Sequence, residues 1–532
     1  MSKKNKMNAA KNMEEESLRL AKPIKKGLLH LVFSRFFIFI LLILVQVAIV
    51  VTIYVWLDYI PWVSGFYILF IIGMIIYLFN CSMDSTAKLT WMLLIAVLPL
   101  AGAIFLLYTQ YNPGNGKLKK NVLKRIEEAS HAIEQPSEVL DSLQQDHSGT
   151  GALHSYLNSS GCFPVYDNTE AVYFSLGEQK FEAVLEELRK AQSYIFMEYF
   201  IIEEGYMWGK ILEILIEKAK AGVDVRVMYD GMCEISQLPP GYWKLLEEHG
   251  IRAKAFSAIK PVLSTHYNYR DHRKILVIDG KVAFNGGVNL ADEYINRVER
   301  FGHWKDTAVM LKGPAAQSFA LMFLQMWDVD EQTFEGLPDA GEQQKSGNSN
   351  CGYVMPYCDC PLDQEKVGEA VYMDILNRAE KYVHIMTPYL ILDGELETAL
   401  KFASRRGVDV KLILPGIPDK KAAYALAKSH YKSLVKAGIR IYEYTPGFVH
   451  AKVFVSDDIK AVVGTINLDY RSLYHHFECA TYLYGTSCIP DIEKDFMTTL
   501  SKCREVTPDT IRHESIRYKV VGKLLKFVAP LM

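Results

Sequence analysis

An eight-residue pattern that occurs twice constrains this chain more than anything else in it. His272-Arg-Lys274-Ile-Leu-Val-Ile-Asp279 and His450-Ala-Lys452-Val-Phe-Val-Ser-Asp457 both read H-x-K-x4-D, with starts 178 residues apart. Each is followed at the same offset by a small-residue step ending in Asn, Gly286-Gly-Val-Asn289 and Gly464-Thr-Ile-Asn467. One such pattern arises readily by chance, but two with the same extension imply two copies of one structural unit.

The run after Lys274 is β-branched and apolar, which predicts a strand. Side chains repeat direction every two residues there, so His272 and Lys274 project from one face. Asp279-Gly280 between two apolar runs is a hairpin-turn signal. Counting back from it pairs Ile278 with Lys281 and His272 with Gly287. Asp457-Asp458 is a poorer turn, and the same counting puts Thr465 opposite His450. A small residue facing each histidine leaves room for a ligand. Each set then holds an imidazole, a cation and an amide, a combination suited to a phosphate.

With these residues in view, the chain resembles the phospholipase D superfamily, and within it the bacterial cardiolipin synthases. The superfamily resemblance rests on the two motifs and their Gly/Asn extensions. The narrower one rests on Asn268-Tyr-Arg-Asp-His-Arg-Lys274, Gly286-Gly-Val-Asn-Leu-Ala-Asp-Glu-Tyr294, Thr387-Pro-Tyr389, Arg406-Gly-Val-Asp409, Gly464-Thr-Ile-Asn-Leu-Asp-Tyr-Arg-Ser472 and the terminal Ala529-Pro-Leu-Met532. It extends from about residue 60 to the end.

Three uncharged apolar stretches, Phe36 to Leu57, Pro61 to Ser82 and Leu89 to about Tyr111, each exceed the roughly 20 residues that cross a bilayer as a helix. Two or three transmembrane helices are therefore expected over 36–111, after a basic N-terminus at 1–35. Nine Lys/Arg precede the first stretch, and Lys117, Lys119, Lys120, Lys124 and Arg125 follow the third. Positive flanks stay cytoplasmic, so three full spans cannot satisfy both. The resemblance implies two spans and a catalytic portion facing the cytoplasm, in a multi-pass protein of the cell membrane.

Net charge is −2, and the first 35 residues hold nine basic and three acidic side chains, leaving 50 basic against 58 acidic beyond them. A nucleic-acid enzyme carries a domain-wide basic footprint, so no nucleic-acid partner is expected. Nine cysteines include Cys351, Cys358 and Cys360 close together. C-x6-C-x-C lacks the paired spacing of a structural zinc site, and the resemblance implies metal-independent chemistry with no cofactor.

After the membrane segments and a linker at 112–162, helix and strand alternate in two similar halves. The first, 163–336, carries a helix near Lys180 to Ala191, a strand at Tyr194 to Ile202, a helix near Trp208 to Ala221, a strand at Val223 to Tyr229, and the first motif hairpin. A Gly/Gln/Ser/Asn-rich linker at 337–350 precedes the second, 351–510. That half repeats the order, with a strand at Tyr382 to Met386, a helix at Gly394 to Arg406, a strand at Val408 to Leu414, and the second motif. This alternation predicts an α/β fold in which each half has a mixed sheet flanked by helices. The stretch 511–532 is basic and amphipathic.

Two such halves facing each other would bring His272 and His450 into one cleft. Two histidines there suit a two-step phosphoryl transfer: one attacks phosphorus and becomes phosphohistidine, and the other protonates the departing alcohol and deprotonates the incoming one. The resemblance makes His272 the nucleophile and His450 the acid/base; the residues alone allow the reverse. Lys274, Lys452, Asn289 and Asn467 would hold the non-bridging oxygens. The resemblance further implies an acidic residue downstream of each motif that orients an imidazole, Glu478 for the second copy and Asp306, a looser match, for the first. Asp279 and Asp457 belong to the catalytic motifs but fall at the turns, where a scaffold role is the reading. Glu198 ends a strand near the cleft, and His475-His476 stands where the family commonly has Leu-Asn.

The implied activity is that of a cardiolipin synthase. A phosphatidyl group moves from one phosphatidylglycerol through phosphohistidine to a second, releasing glycerol. The same residues could serve a membrane-bound phospholipase D hydrolase that uses water, and a catalytically silent membrane scaffold is the third reading. The intact His, Lys and Asn of both copies speak against the last.

Overall fold

The computed structural model describes residues 17–20, 44, 48, 52, 61–110, 113–146, 149–257, 269–338, 352–363 and 365–531. The apolar stretch at 36–57 thus lies almost wholly outside the described residues, as does most of the linker at 337–350. The second stretch forms the helix Pro61–Asn80, with side chains described from 65 onward. The third is two helices, Ser85–Val97 and Pro99–Gln110. Pro99 has no N–H to continue the ladder and disfavours helical geometry in the residue before it, and Leu98 sits at φ −131°, ψ 70°. Among the described residues no helix is long and apolar enough to cross a membrane, so the expected transmembrane helices are not found there. Leu78, Trp91, Ile95 and Leu106 hold the three helices together, while Phe66, Leu69, Phe79, Leu89 and Val97 remain exposed.

The expected linker at 112–162 is helical instead: Pro113–Ala129, Ser137–Gln145 and Thr150–Ser160. Its leucines are the reason, since Leu143, Leu153 and Leu157 join the main core.

The first half supplies strands Glu170–Phe174 (β1), Tyr194–Tyr199 (β2), Asp224–Asp230 (β3), Arg252–Phe256 (β4), Arg270–Asp271 (β5), Lys274–Ile278 (β6), Val282–Gly286 (β7), His303–Lys305 (β8) and Ala308–Lys312 (β9). Seven of them form a sheet in the order β1-β9-β7-β6-β2-β3-β4. The second half supplies Tyr353–Asp359 (β10), Tyr382–Met386 (β11), Asp409–Pro415 (β12), Arg440–Tyr444 (β13), Gly447–Val449 (β14), Val453–Ser456 (β15), Lys460–Gly464 (β16), His476–Tyr484 (β17) and Cys503–Glu505 (β18). Its sheet runs β10-β17-β16-β15-β11-β12-β13-β18. Both sheets are mixed: β2, β3 and β4 are parallel, as are β11, β12 and β13, whereas the motif hairpins β6-β7 and β15-β16 are antiparallel. Helices Gly177–Lys190 and Tyr206–Lys220 flank the first sheet, and Gly394–Arg405 and Lys421–Lys436 the second. β6 and β15 are buried along their whole length, as strands covered on both faces are.

The wholly buried core of the helix Ala316–Trp327 stands between the halves. Its Phe323 stacks on Phe196 of β2 at 4.8 Å, and one apolar cluster runs from Phe196, Ile275 and Phe319 to Val354, Ile385 and Val463. Each aliphatic side chain so buried is worth roughly 1.5–3 kcal/mol. Two short parallel pairings also cross between the halves: β5 with β17, and β14 with β8.

Register differs from the expected one by a residue. Ile278 pairs with Val282, and Ser456 with Lys460, because each turn spends three residues. Asp279 and Gly280 take φ 53° and 64°, Asp457 and Asp458 take 56° and 60°, and the Lys281 and Ile459 amides close the turns onto Ile278 and Ser456 at 3.0 and 3.1 Å. Gly287 and Thr465 consequently do not face the histidines.

Candidate active site

The two inter-strand crossings build the site. β5 ends one residue before His272 and pairs Asp271 with Phe477, so the His272 amide donates to the Phe477 carbonyl at 2.9 Å and the imidazole arrives beside Glu478. β14 ends one residue before His450 and pairs Val449 with Lys305. The His450 amide then donates to the Lys305 carbonyl at 2.7 Å, and the ring arrives beside Asp306. Each imidazole is hydrogen-bonded through Nδ1 to an acidic side chain of the opposite half: His272 with Glu478 at 2.9 Å and His450 with Asp306 at 2.6 Å, where Lys452 Nζ also lies 2.9 Å from Nδ1. A carboxylate on Nδ1 fixes the tautomer and leaves Nε2 for the cleft. The downstream acids thus sit crosswise, each serving the other copy's histidine.

The small residues of the Gly/Asn extensions serve these carboxylates. A Cβ at Gly287 would fall 2.1 Å from Asp306 Oδ1, so glycine lets that carboxylate reach His450. In the second copy the Thr465 hydroxyl donates to Glu478 in a very short contact. Asn289 accepts from the Ile201 amide at 3.1 Å and donates to the Tyr294 hydroxyl at 2.8 Å. Asn467 donates to Ser472 Oγ at 3.0 Å.

Lys274 donates to the His272 carbonyl at 2.5 Å, and Lys452 to that of His450. All four side chains are buried, and burial sets their protonation. It pushes Lys274 down to about 8 and Lys452 to about 7, against the pull of Glu478 and Asp306 respectively. Burial, reinforced by the neighbouring lysines, drives His272 well below its usual range and His450 to about 4. Burial would raise Asp306, but the His450 and Lys452 charges outweigh it and hold the carboxyl low. Burial wins at Glu478, which stands well above the carboxylate range despite Lys274. The two His–carboxylate pairs are therefore unequal, and the Asp306 side favours an ionised carboxylate.

Asp279 and Asp457 lie at the far ends of the motif strands, and their carboxylates hold backbone. Asp279 accepts from the amides of Gln192, Ser193 and Tyr194 at 2.7–2.9 Å. Asp457 accepts from Glu380, Lys381 and Tyr382 at 2.8–2.9 Å. Each pins the start of β2 or β11 to the motif turn. Glu198 is fully buried and paired with Arg273 at 2.6 Å.

Several neighbours escape sequence reasoning. Phe200 meets His272 edge-on at 4.9 Å, and Tyr294 meets His450 at 5.4 Å with Trp304 at 5.5 Å. Lys180 is fully buried, donates to the Tyr199 hydroxyl and the Val288 carbonyl, and burial lowers it to about 7. Its signal was available: Lys180, Val184 and Leu188 recur on the apolar face of one helix, where a lysine is out of place. His476 lies 5.3 Å from His272 between ring centroids. Donor atoms of His272, His476 and Glu478 lie within 4.8 Å of one another, a grouping of a kind that can hold a metal ion.

An imidazole pair with buried lysines is suited to nucleophilic and acid/base work on a phosphodiester, and the one hydroxyl within the motifs, Ser456, is spent on the Tyr382 carbonyl at 2.9 Å. Comparison with known proteins agrees. The family model described as cardiolipin synthase, PLD-like domain, matches residues 184–327 and 372–500. An uncharacterized protein of Streptococcus mutans is 57% identical over 87% of this chain and all of its own length. Cardiolipin synthase 2 of Bacillus anthracis is 31% identical over 87% of this chain and 90% of its own. Among solved structures, phosphatidylserine synthase of Haemophilus influenzae superimposes with a TM-score of 0.53 at 14% identity, over 72% of this chain and 97% of that one, a likeness of fold. The two motif-bearing halves, matched by the family model and by relatives along most of their length, make this chain a member of the cardiolipin synthase family with its phospholipase D-like domains.

Proposed function

We propose that the protein is a phosphatidyltransferase that makes cardiolipin from two molecules of phosphatidylglycerol. The observation that carries the reading is the crosswise pair of imidazoles, each held at Nδ1 by a carboxylate of the other half, beside two buried lysines. His272 Nε2 attacks the phosphorus of the donor. The bond to the glycerol oxygen breaks as His450 delivers a proton to it, the imidazole being protonated in the donor complex because the ionised Asp306 and the anionic phosphodiester together offset its burial, and free glycerol departs from phosphatidyl-His272. His450, now neutral, takes the proton from a hydroxyl of the second phosphatidylglycerol, whose oxygen displaces His272 and completes the product. Lys274 and Lys452 counter the charge on the non-bridging oxygens, with Asn289 and Asn467 as neighbouring amides. Asp279 and Asp457 act on the scaffold alone.

Both substrates are bilayer lipids, and an exposed apolar surface supports operation at the cell membrane. Leu89, Leu93 and Val97 recur at one-turn spacing on one helix, and Ile516, Val520, Leu524 and Phe527 do so on the helix Ile516–Val528. Thr90 donates to the Phe527 carbonyl at 3.0 Å, which sets the two helices side by side. Arg517, Lys519 and Lys523 border the second stripe, as in helices that lie in an anionic lipid interface. The basic cluster Lys117, Lys119, Lys120, Lys124 and Arg125 after the apolar helices supports a catalytic portion on the cytoplasmic side.

The test is the product profile in phosphatidylglycerol vesicles, read by mass spectrometry beside His272→Ala and His450→Ala. Cardiolipin and glycerol, lost in both variants, are the expected result. Phosphatidic acid and glycerol would make the protein a hydrolase, and no turnover would return it to a scaffold. Activity that a chelator removes and added metal restores would refute a metal-independent site.

A further inference from the structure

His476 is a polar side chain that the scheme above leaves unused. It is 7% exposed, and neither ring nitrogen has a hydrogen-bond partner among the described residues. Native structures pair nearly all such groups, and an unpaired one calls for an explanation. The ring lies 5.3 Å from His272 and 6.4 Å from Phe200, so it borders the reacting centre.

Parallel pairing of β5 with β17 sets His476 opposite Arg270, and opposed residues project from the same face of a sheet. Arg270 is itself buried and braced by Asp230, Nη1 to Oδ1 at 3.2 Å. Arg270, His272 and Lys274 alternate along the segment that carries the chain from β5 into β6, and His476 lies opposite Arg270 at one end of it. The charges of Arg471, Lys274 and Arg270 all bear on the His476 ring. Such surroundings favour an anion. The carboxylate nearest to His476, Glu478 at 3.7 Å from Nδ1, is already engaged by His272 and Thr465.

A transfer between two phosphatidylglycerols has two phosphates to hold. One is the phosphodiester under attack. The other belongs to the acceptor lipid and, after transfer, lies across a single glycerol from the first. The bridge P–O–C–C–C–O–P has six bonds, as many as two residues of backbone, and so reaches about 7 Å when extended. Arg270 and His272 are two residues apart, a backbone step that spans at most about 7 Å.

We propose that His476 and Arg270 form a second phosphate subsite, which takes the phosphodiester of the acceptor lipid while the donor phosphorus sits at His272. The inference rests on the transfer reaction proposed above. His476 supplies a hydrogen-bond donor and Arg270 a fixed cation, and together they hold the acceptor glycerol one bridge length from the phosphohistidine. His476 is thus a positioning residue.

The experiment is calorimetry on the full-length protein in detergent, with glycerol 1,3-bisphosphate and glycerol 3-phosphate as probes. The unaltered protein is expected to bind the bisphosphate at least tenfold more tightly. In His476→Ala that ratio should fall below threefold, and His476→Gln, which keeps an N–H donor, should retain part of it. Equal affinity for the two probes in the unaltered protein, or an unchanged ratio in His476→Ala, would overturn the subsite. So would one-to-one binding of Zn2+ alone that His476→Ala abolishes, since the cluster would then be a metal site. Neither probe is a lipid, so a bisphosphate preference in a protein that makes no cardiolipin would fault the reaction and leave the subsite standing.

Discussion

Replacing Asp306 by Asn tests the crosswise arrangement most directly. The carboxylate lies 2.6 Å from His450 Nδ1, and both groups are buried. When His450 carries a proton, the two charge centres stand about 4 Å apart, and at an effective dielectric near 20 their attraction is about 4 kcal/mol. The neutral amide keeps the shape and loses the charge. At 1.36 kcal/mol per decade, kcat for cardiolipin formation should fall about a thousandfold. His272 keeps its own partner, Glu478, so the loss reports on the His450 side of the site, including Lys452, whose charge Asp306 also supports. The assay is steady-state turnover in phosphatidylglycerol vesicles, with a melting curve to establish that Asp306→Asn is folded. A fall of less than tenfold in a folded variant would mean that Asp306 does not support the protonated imidazole, and the division of labour between the histidines would have to be redrawn.

A bulkier neighbour should displace the same carboxylate: Gly287→Ala, whose Cβ would lie 2.1 Å from Asp306 Oδ1, is expected to cut kcat at least tenfold, and unaltered turnover would refute that glycine's role. The pH profile of kcat/KM should lose activity on the alkaline side near 7 to 8. Lys452 and Lys274, lowered to about 7 and 8 by burial, surrender their charges there, whereas an exposed lysine would hold out to about 10.4. Asp279→Ala and Asp457→Ala each free three backbone amides. Each should cost about 2–3 kcal/mol of stability in denaturant melts, given 1.5–3 for a charge-assisted bond and partial rehydration. Turnover per folded molecule should survive, and its abolition in a stably folded variant would place these aspartates in the chemistry. Val520→Glu with Leu524→Glu, on the exposed stripe of the C-terminal helix, should reduce activity on vesicles about tenfold and leave activity on dispersed short-chain substrate intact; equal losses on both would argue against a membrane-facing stripe.

Much of the site was legible in the sequence because it depends on local rules. His272 and Lys274 share a face through the two-residue repeat of a strand, and the apolar run after them is a strand buried on both sides. The register missed by one residue because the Asp279-Gly280 signal fixes a turn without fixing its length. The exchange of carboxylates was not legible at all. It follows from pairings between β5 and β17 and between β8 and β14, whose members lie more than a hundred residues apart, and no periodicity within a segment records such partners. The third apolar run failed as a single helix at Pro99, a breaker that hydropathy averaging hides. Lys180 was visible as a misplaced charge on an apolar helix face, but only the fold brings it under Tyr199.

The exchange of carboxylates has a consequence for how the protein comes into being on the ribosome. When the first half has been synthesised it contains His272, Lys274 and Asp306 but no Glu478, and nothing yet for Asp306 to hold. Neither half can arm its own histidine. Docking of the second half, about two hundred residues later in synthesis, supplies both missing partners in one event through the same two strand pairings. A nascent or truncated chain is thereby left with its motif imidazoles lacking their carboxylate partners, and the site is assembled only by the completion of the fold.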